Sequence, residues 1–260
     1  MRLQIITDFS AEDVAAYEDA IVTARSSLLT DDVISIWKQP NVVYIPHNAS
    51  VIYFDSNYSK SFNFPCVRSP FFPAEGTSAV VVGNTWGLLC GVSKNLAPDR
   101  LSFENLFTMD IFKTFLAKQG LSVERVSNDL VFPEKGSKIA GIVSCEKDNC
   151  YFSNSFMNMK KQDNFDYDLF YKLPESKFED KKVKSVNERI ASVYGETGRE
   201  IQDEDFINHV KEYLTSINIE FVEESGLQGS EVEIFNRVKD HYRSDKWINY
   251  GEYWSDDFIE

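Results

Sequence analysis

The chain has 260 residues, of which 43% are hydrophobic and 26% charged. That composition belongs to a folded protein with a substantial core and excludes a disordered, collagen-like or low-complexity chain. Asp and Glu number 41 against 27 Lys and Arg, a formal net charge of −14, so the overall field repels phosphate backbones and anionic lipid, and neither nucleic acid nor a membrane is an expected partner. Apolar runs such as Ala79-Val80-Val81-Val82 fall far short of the roughly 20 residues that cross a bilayer. The first residues show no signal-like apolar stretch. Four cysteines and three histidines form neither a disulfide framework nor a zinc pattern, so a reducing cytoplasm is the expected compartment.

In chain order, Arg2 to Ile6 reads as a strand, and Ser10 to Asp13 as a capping-box start for a helix ending near Ser27. Val33 to Trp37 and Val42 to Ile45 are β-rich runs split by a Gln39-Pro40-Asn41 turn and are expected to be sheet neighbours. Further strands are expected at Pro65–Val67, Ala79–Val82, Trp86–Gly91, Val123–Val126, Leu130–Phe132 and Ile139–Cys145, with Cys150–Met157 returning as a hairpin after a polar turn. Ser102 to Gln119 carries Phe103, Phe107, Ile111 and Phe115 on one helical face, with Gly120 as its C-cap. Past Lys181 the pattern turns to charged helices over Val183–Val193, Asp203–Ile217 and Gly229–Tyr242. Strands first and helices last predict an α+β domain, with helices packed on a mostly antiparallel or mixed sheet. No repeat or long linker divides the chain.

The chemistry concentrates in Asn128 to Gly141. Asn128 and Asp129 precede one strand, Gly136 marks a turn, and Lys138 opens the next strand. Paired strands joined this way bring Asp129 and Lys138 to one region. There a lysine can hold developing negative charge on a phosphate or acyl oxygen, and a carboxylate can help hold Mg²⁺. The plainer alternative is a solvated strand-edge lysine beside a turn carboxylate.

These residues resemble the biotin/lipoate A/B protein ligase family, and lipoate-protein ligases in particular. Val33 to Ile45 is similar to an early "LxLWxxxPxVVIG" segment. Cys66-Val67-Arg68 resembles a strand ending in arginine, and Gly83-Asn84 the close of a glycine loop. Asn128-Asp129-Leu130 followed by Lys138-Ile139-Ala140-Gly141 resembles "NDL…KISG". Ser185 to Ile190 resembles "SVxxRV", and Tyr242 to Gly251 resembles "KYxSxEWxxG". The resemblance implies a biotinyl/lipoyl ligase-like mixed sheet flanked by helices, in one catalytic domain over residues 1–260 without an accessory C-terminal domain. It also implies an enzyme that activates lipoate or a related acid with ATP and Mg²⁺, then passes the acyl group to a lysine of a lipoyl-type acceptor. Lys138 would be the catalytic lysine. Asn128 and Asp129 would sit at nucleotide and metal, Arg68 would face the phosphates, and Gly76, Asn84 and Gly141 would line the cofactor site.

The loop departs from that family. Arg68 to Asn84 reads RSPFFPAEGTSAVVVGN, where the family has "RRxSGGGAVxHDxGN": Gly76 keeps one glycine, Ala74 and Glu75 replace two others, and Val80-Val81 stand in place of His-Asp. Ser153-Asn154 replaces a later "HG". Lost glycines restrict backbone approach to a ligand, and Glu75 adds a negative charge. The alternative function is therefore an inactive relative that binds a protein or a small acid. Related octanoyltransferases carry a "PCG" nucleophile, but Leu173-Pro174-Glu175 lacks the cysteine, and Cys145 and Cys150 read as buried strand residues. His47 reads as a loop histidine that either touches ligand or faces solvent. Phe62, Phe64, Phe71 and Phe72 fit an acyl slot and a core equally well.

Overall fold

A computed structural model describes residues 1–48, 54–73, 80–81, 83–173 and 182–251. The strands are β1 (Arg2–Ile6), β2 (Val33–Gln39), β3 (Val43–Ile45), β4 (Cys66–Arg68), β5 (Val80–Val81), β6 (Asn84–Ser93), β7 (Glu124–Val126), β8 (Asp129–Val131), β9 (Lys138–Lys147), β10 (Cys150–Lys160) and β11 (Val222–Ser225). The helices are α1 (Val14–Ser26), α2 (Ser56–Ser61), α3 (Arg100–Glu104), α4 (Asp110–Lys118), α5 (Tyr167–Phe170), α6 (Val186–Arg189), α7 (Val193–Thr197), α8 (Asp203–Ser216), α9 (Ser230–Tyr242) and α10 (Asp245–Tyr250).

Eight strands form one mixed sheet in the order β11-β1-β2-β6-β10-β9-β8-β7, and β4-β3-β5 form a small second sheet. β1 lies parallel to both β2 and β11, while the remaining pairs of the large sheet are antiparallel. This is the α+β architecture of a mixed sheet flanked by helices. On one face, Phe103, Phe107, Phe112 and Phe115 of the α3–α4 region and Phe206 of α8 pack with Leu88, Ile139 and Met157 of the sheet. On the other face, Ile21 and Val22 of α1 and Tyr44 and Val67 of the small sheet pack with Trp37, Leu89 and Phe152. The small sheet's outer side buries Val43, Ile45, Phe64 and Phe170 in a further cluster.

Several local expectations are corrected. β2 and β3 are not neighbours: β2 has β1 on one edge and β6 on the other, so the Gln39-Pro40-Asn41 turn carries the chain into the second sheet, where β3 pairs with β4 and β5. Ser10 makes no side-chain cap, and Asp13 instead accepts from Arg243 at 2.6 and 2.9 Å. The helix over Ser102–Gln119 is broken by a π-turn at Asn105–Met109, whose extra residue keeps Phe103, Phe107, Ile111 and Phe115 all buried against the sheet. Val183–Val193 holds only α6, because the chain becomes extended at Ile190 (φ −91°, ψ 115°) and bridges to Lys138. β11 and α10 lay outside the expectation, since Val222-Glu223-Glu224-Ser225 has one apolar residue to advertise a strand.

Candidate active site at one end of the large sheet

Lys138 opens β9 and Asp129 opens β8, and the two strands pair with a bulge between Leu130 and Val131. The bulge turns Leu130, Ile139 and Ala140 into the core and puts Lys138 on the same face as Asp129 and Gly141. The Lys138 ammonium forms an ion pair with Asp129 Oδ1 at 2.7 Å, and Arg189 of α6 donates to Asp129 Oδ2 at 2.9 Å. A second guanidinium nitrogen of Arg189 reaches Gly136 O at 2.5 Å, in the turn before Lys138, where Gly136 has φ +73°. Gly141 makes the approach feasible. A Cβ there would lie 2.6 Å from Lys138 Nζ and 3.3 Å from Asp129 Oδ1, so any larger residue would displace the lysine tip. The carbonyl of Lys138 accepts from Ala191 N at 2.7 Å. Both the backbone and the side chain of the lysine are thus held by the α6 segment.

Adjacent in the chain to this group, through Ser137 and Ala191, lies a cleft of about 530 Å³ that also includes Lys160, Lys161, Lys182 and Asn187, though Asp129, Lys138, Gly141 and Arg189 do not line it; the volume is within the range of small-molecule sites. Farther along the same sheet face sits a polar cluster that sequence reasoning missed. Glu18 of α1 is fully buried and accepts from Tyr44 Oη at 2.6 Å, Ser69 Oγ at 2.7 Å and Asn154 Nδ2 at 2.6 Å. Burial raises its carboxyl from 4.5 to about 7 against the pull of those donors. A glutamate amid α1's Val14, Ala15, Ile21 and Val22 was the available signal, since such a stripe position is ordinarily apolar.

No protein-family model and no curated protein sequence matches the chain, but solved structures do. A bipartite lipoate protein ligase system from Thermoplasma acidophilum, described with its E2 lipoyl domain, superposes with TM-score 0.74 at 19% identity over 95% of both chains. Lipoate-protein ligase A bound with ATP gives 0.71 at 16% identity over 95% of this chain and 97% of that one. P. falciparum LipL1 in complex with lipoate gives 0.72 at 12% identity over 97% and 74%. The chain has the lipoate-protein ligase fold. At these identities the likeness establishes the architecture, and the chemistry must be argued from the residues.

Within that fold, the residues singled out from sequence are dispersed. Asp129, Lys138 and Gly141 come together as described. Asn128 lies in the β7–β8 turn, where its carbonyl accepts from Ile142 N at 2.9 Å. Asn84 is exposed at the start of β6, opposite Lys160 at the end of β10, so it sits at the cleft end of the sheet. Gly76, with Ala74 and Glu75, lies outside the described residues. Arg68 ends β4. It is 4% exposed and donates to the carbonyls of Pro46, His47, Ile248 and Asn249, fastening α10 to the small sheet.

Among the described residues no three carboxylate, histidine or cysteine side chains converge, and both oxygens of Asp129 are engaged by cations, so no step is routed through a protein-bound metal. His47 packs its ring 6.2 Å from Trp247. Phe62 and Phe64 belong to the aromatic cluster outside the small sheet, whereas Phe72 is buried in, and Phe71 packs against, the core cluster of α1 and the two sheets. Burial pushes the Cys90 and Cys145 thiols up to about 12, which suits packing residues and not nucleophiles. No helix among the described residues is long and apolar enough to cross a membrane.

Proposed function

We propose that residues 1–260 form the catalytic domain of an acyl-adenylate-forming ligase that activates lipoate or a related carboxylic acid with ATP and transfers it to a lysine of a lipoyl-type carrier domain. The observation that carries this reading is Lys138, held by Asp129 and Arg189 beside an open cleft in a chain folded as a lipoate ligase. In the first step the acid's carboxylate oxygen attacks the α-phosphorus of ATP and pyrophosphate leaves. In the second, the carrier's amine attacks the acyl carbonyl and AMP leaves. Both steps gather negative charge at one point. A lysine that can exchange Asp129 for an incoming oxyanion supplies the fixed positive charge such transition states need. Lys160 and Lys161 line the cleft, with Asn84 opposite Lys160 in the sheet, and are polar groups available to a nucleotide.

The test is mass spectrometry of a lipoyl domain incubated with the chain, lipoate or octanoate, and ATP as its magnesium salt. Wild type adds the acyl mass and Lys138→Ala loses about 10²–10³ in rate, with its melting temperature kept because the lysine packs little. If wild type modifies no acceptor and neither nucleotide nor acid raises its melting temperature, the ligase reading falls and a binding role replaces it.

A further inference from the structure

We propose that Trp37, Gln39 and Thr85 bind the far end of the acid, and that the acid this chain prefers carries a carboxamide- or ureide-type group there in place of a purely apolar tail. Resting on the ligase reading, this places the acid's carboxylate at Lys138. Along one row of the large sheet, Gly141 of β9 and Gly87 of β6 are both register partners of Phe156 on β10, and Gly87 pairs in turn with Trp37 on β2. Register partners share a face. The Lys138 ammonium lies over Gly141, and the Trp37 indole lies over Gly87, where a Cβ would overlap its Nε1. Two interstrand spacings, about 10 Å, therefore separate the ammonium from the indole N–H, with the half-buried Phe156 ring between them.

The indole end of this row is polar and unsatisfied. Trp37 is fully buried and stacked on Phe9, yet its Nε1 has no hydrogen-bond partner. One step along the same face, Gln39 of β2 pairs with Thr85 of β6. These two are 3% and 0% exposed, and Gln39 Nε2, Gln39 Oε1 and Thr85 Oγ1 are also without partners. Leaving a buried donor or acceptor unpaired is costly, and native folds rarely do it. The four atoms comprise N–H donors from Trp37 and Gln39, a carbonyl acceptor from Gln39, and a hydroxyl that does either. That set is the complement of an amide's C=O and N–H, whereas an aliphatic tail would leave all four unpaired. An extended chain gains about 1.2 Å per bond, so an acid of about six to eight carbons reaches from Lys138 past Phe156 to this cluster. The Phe156 ring must turn aside to admit it, since the indole is closed to solvent in the free chain.

The experiment is calorimetric titration of the chain, without ATP, with two pairs of acids that differ only at the far end: octanoate against 8-amino-8-oxooctanoate, and hexanoate against 6-amino-6-oxohexanoate. In at least one pair the ω-amide should bind at least about tenfold more tightly than the plain acid. Gln39→Leu and Thr85→Val remove unpaired atoms at similar volume, so each should raise the melting temperature of the free protein by about 2–4 °C while cutting the ω-amide's advantage to about threefold or less. A purely structural role for these residues would move the melting temperature alone. Equal binding within both pairs, tighter binding of the plain acids, or no binding of any of the four overturns the proposal. So does an undiminished advantage in both variants, or a lower melting temperature in both, which would show the atoms to be satisfied already. Lipoate transfer to a carrier alongside equal binding within each pair would keep the ligase reading and sink the polar-tail preference; an ω-amide preference without transfer to any carrier would keep the acid site and sink the ligase.

Discussion

Replacing Glu18 by glutamine should flatten a large part of the pH dependence of stability. The carboxyl stands at about 7 in the fold against 4.5 as its ordinary value. Raised in the folded state, it keeps its proton there after the unfolded chain has released it, so the folded state binds more protons between these values and stability falls as pH rises through that window. The loss is complete above the folded value and amounts to about 3 kcal/mol. Geometry supports a protonated form at the low end, because Asn154 Oδ1 is buried without a partner and the adjoining amide can turn to accept the carboxyl proton. Denaturant titrations at pH 5, 6, 7 and 8 would measure it. The difference between wild type and Glu18→Gln should shift against the wild type by about 2–3 kcal/mol from pH 5 to pH 8. A flat difference would refute the reasoning and mean that water or a rearranged Tyr44 already solvates the anion.

Three further outcomes are expected. Gly141→Ala should leave the melting temperature within about 2 °C, since the clash is with the flexible end of Lys138, while acyl transfer falls by at least about tenfold; equal activity would mean that the Lys138 position is unimportant. Arg68→Ala strips the carbonyls of Ile248 and Asn249 of their donor and should cost about 3 kcal/mol, seen as a melting temperature lower by about 5–10 °C; an unchanged value would deny it the fastening role. Iodoacetamide at pH 8 should label neither Cys90 nor Cys145 in the folded protein, with thiols near 12, and rapid labelling of either would contradict the burial argument.

The elements with strong local signals were legible in the sequence. β9 and β10 read as a hairpin because alternating apolar residues flank a polar stretch, but Glu146 and Lys147, expected in the turn, extend β9 to pair with Tyr151 and Cys150. The meeting of Asp129 and Lys138 was also legible, because a short turn leaves two strands few alternatives. What depends on distant partners was not. Whether Val42–Ile45 continued the first sheet was decided by β6 claiming the free edge of β2, a competition invisible in the segment itself. The same holds for Arg68, whose bonds to the carbonyls of α10 join residues 180 positions apart, and for Arg189, which needed both Gly136 and Asp129 to come within reach. Glu18 carried a local signal, a carboxylate on the apolar stripe of α1, but its partners Tyr44, Ser69 and Asn154 come from distant segments.

The position of β1 has a consequence for synthesis. Once synthesised, β1 waits for residues 222–225 to cover its outer edge, and Arg2 for the carboxylate of Glu231 at 2.6 Å. At bacterial or eukaryotic translation speeds the interval is on the order of ten to forty seconds. Throughout it the nascent chain displays an open parallel edge of Leu3 and Ile5, a surface on which chaperones or a second unfinished chain can pair. A transcript broken before codon 222 would yield a product that never closes that edge, so aggregation of truncated chains, more than loss of the Lys138 region, should mark premature termination.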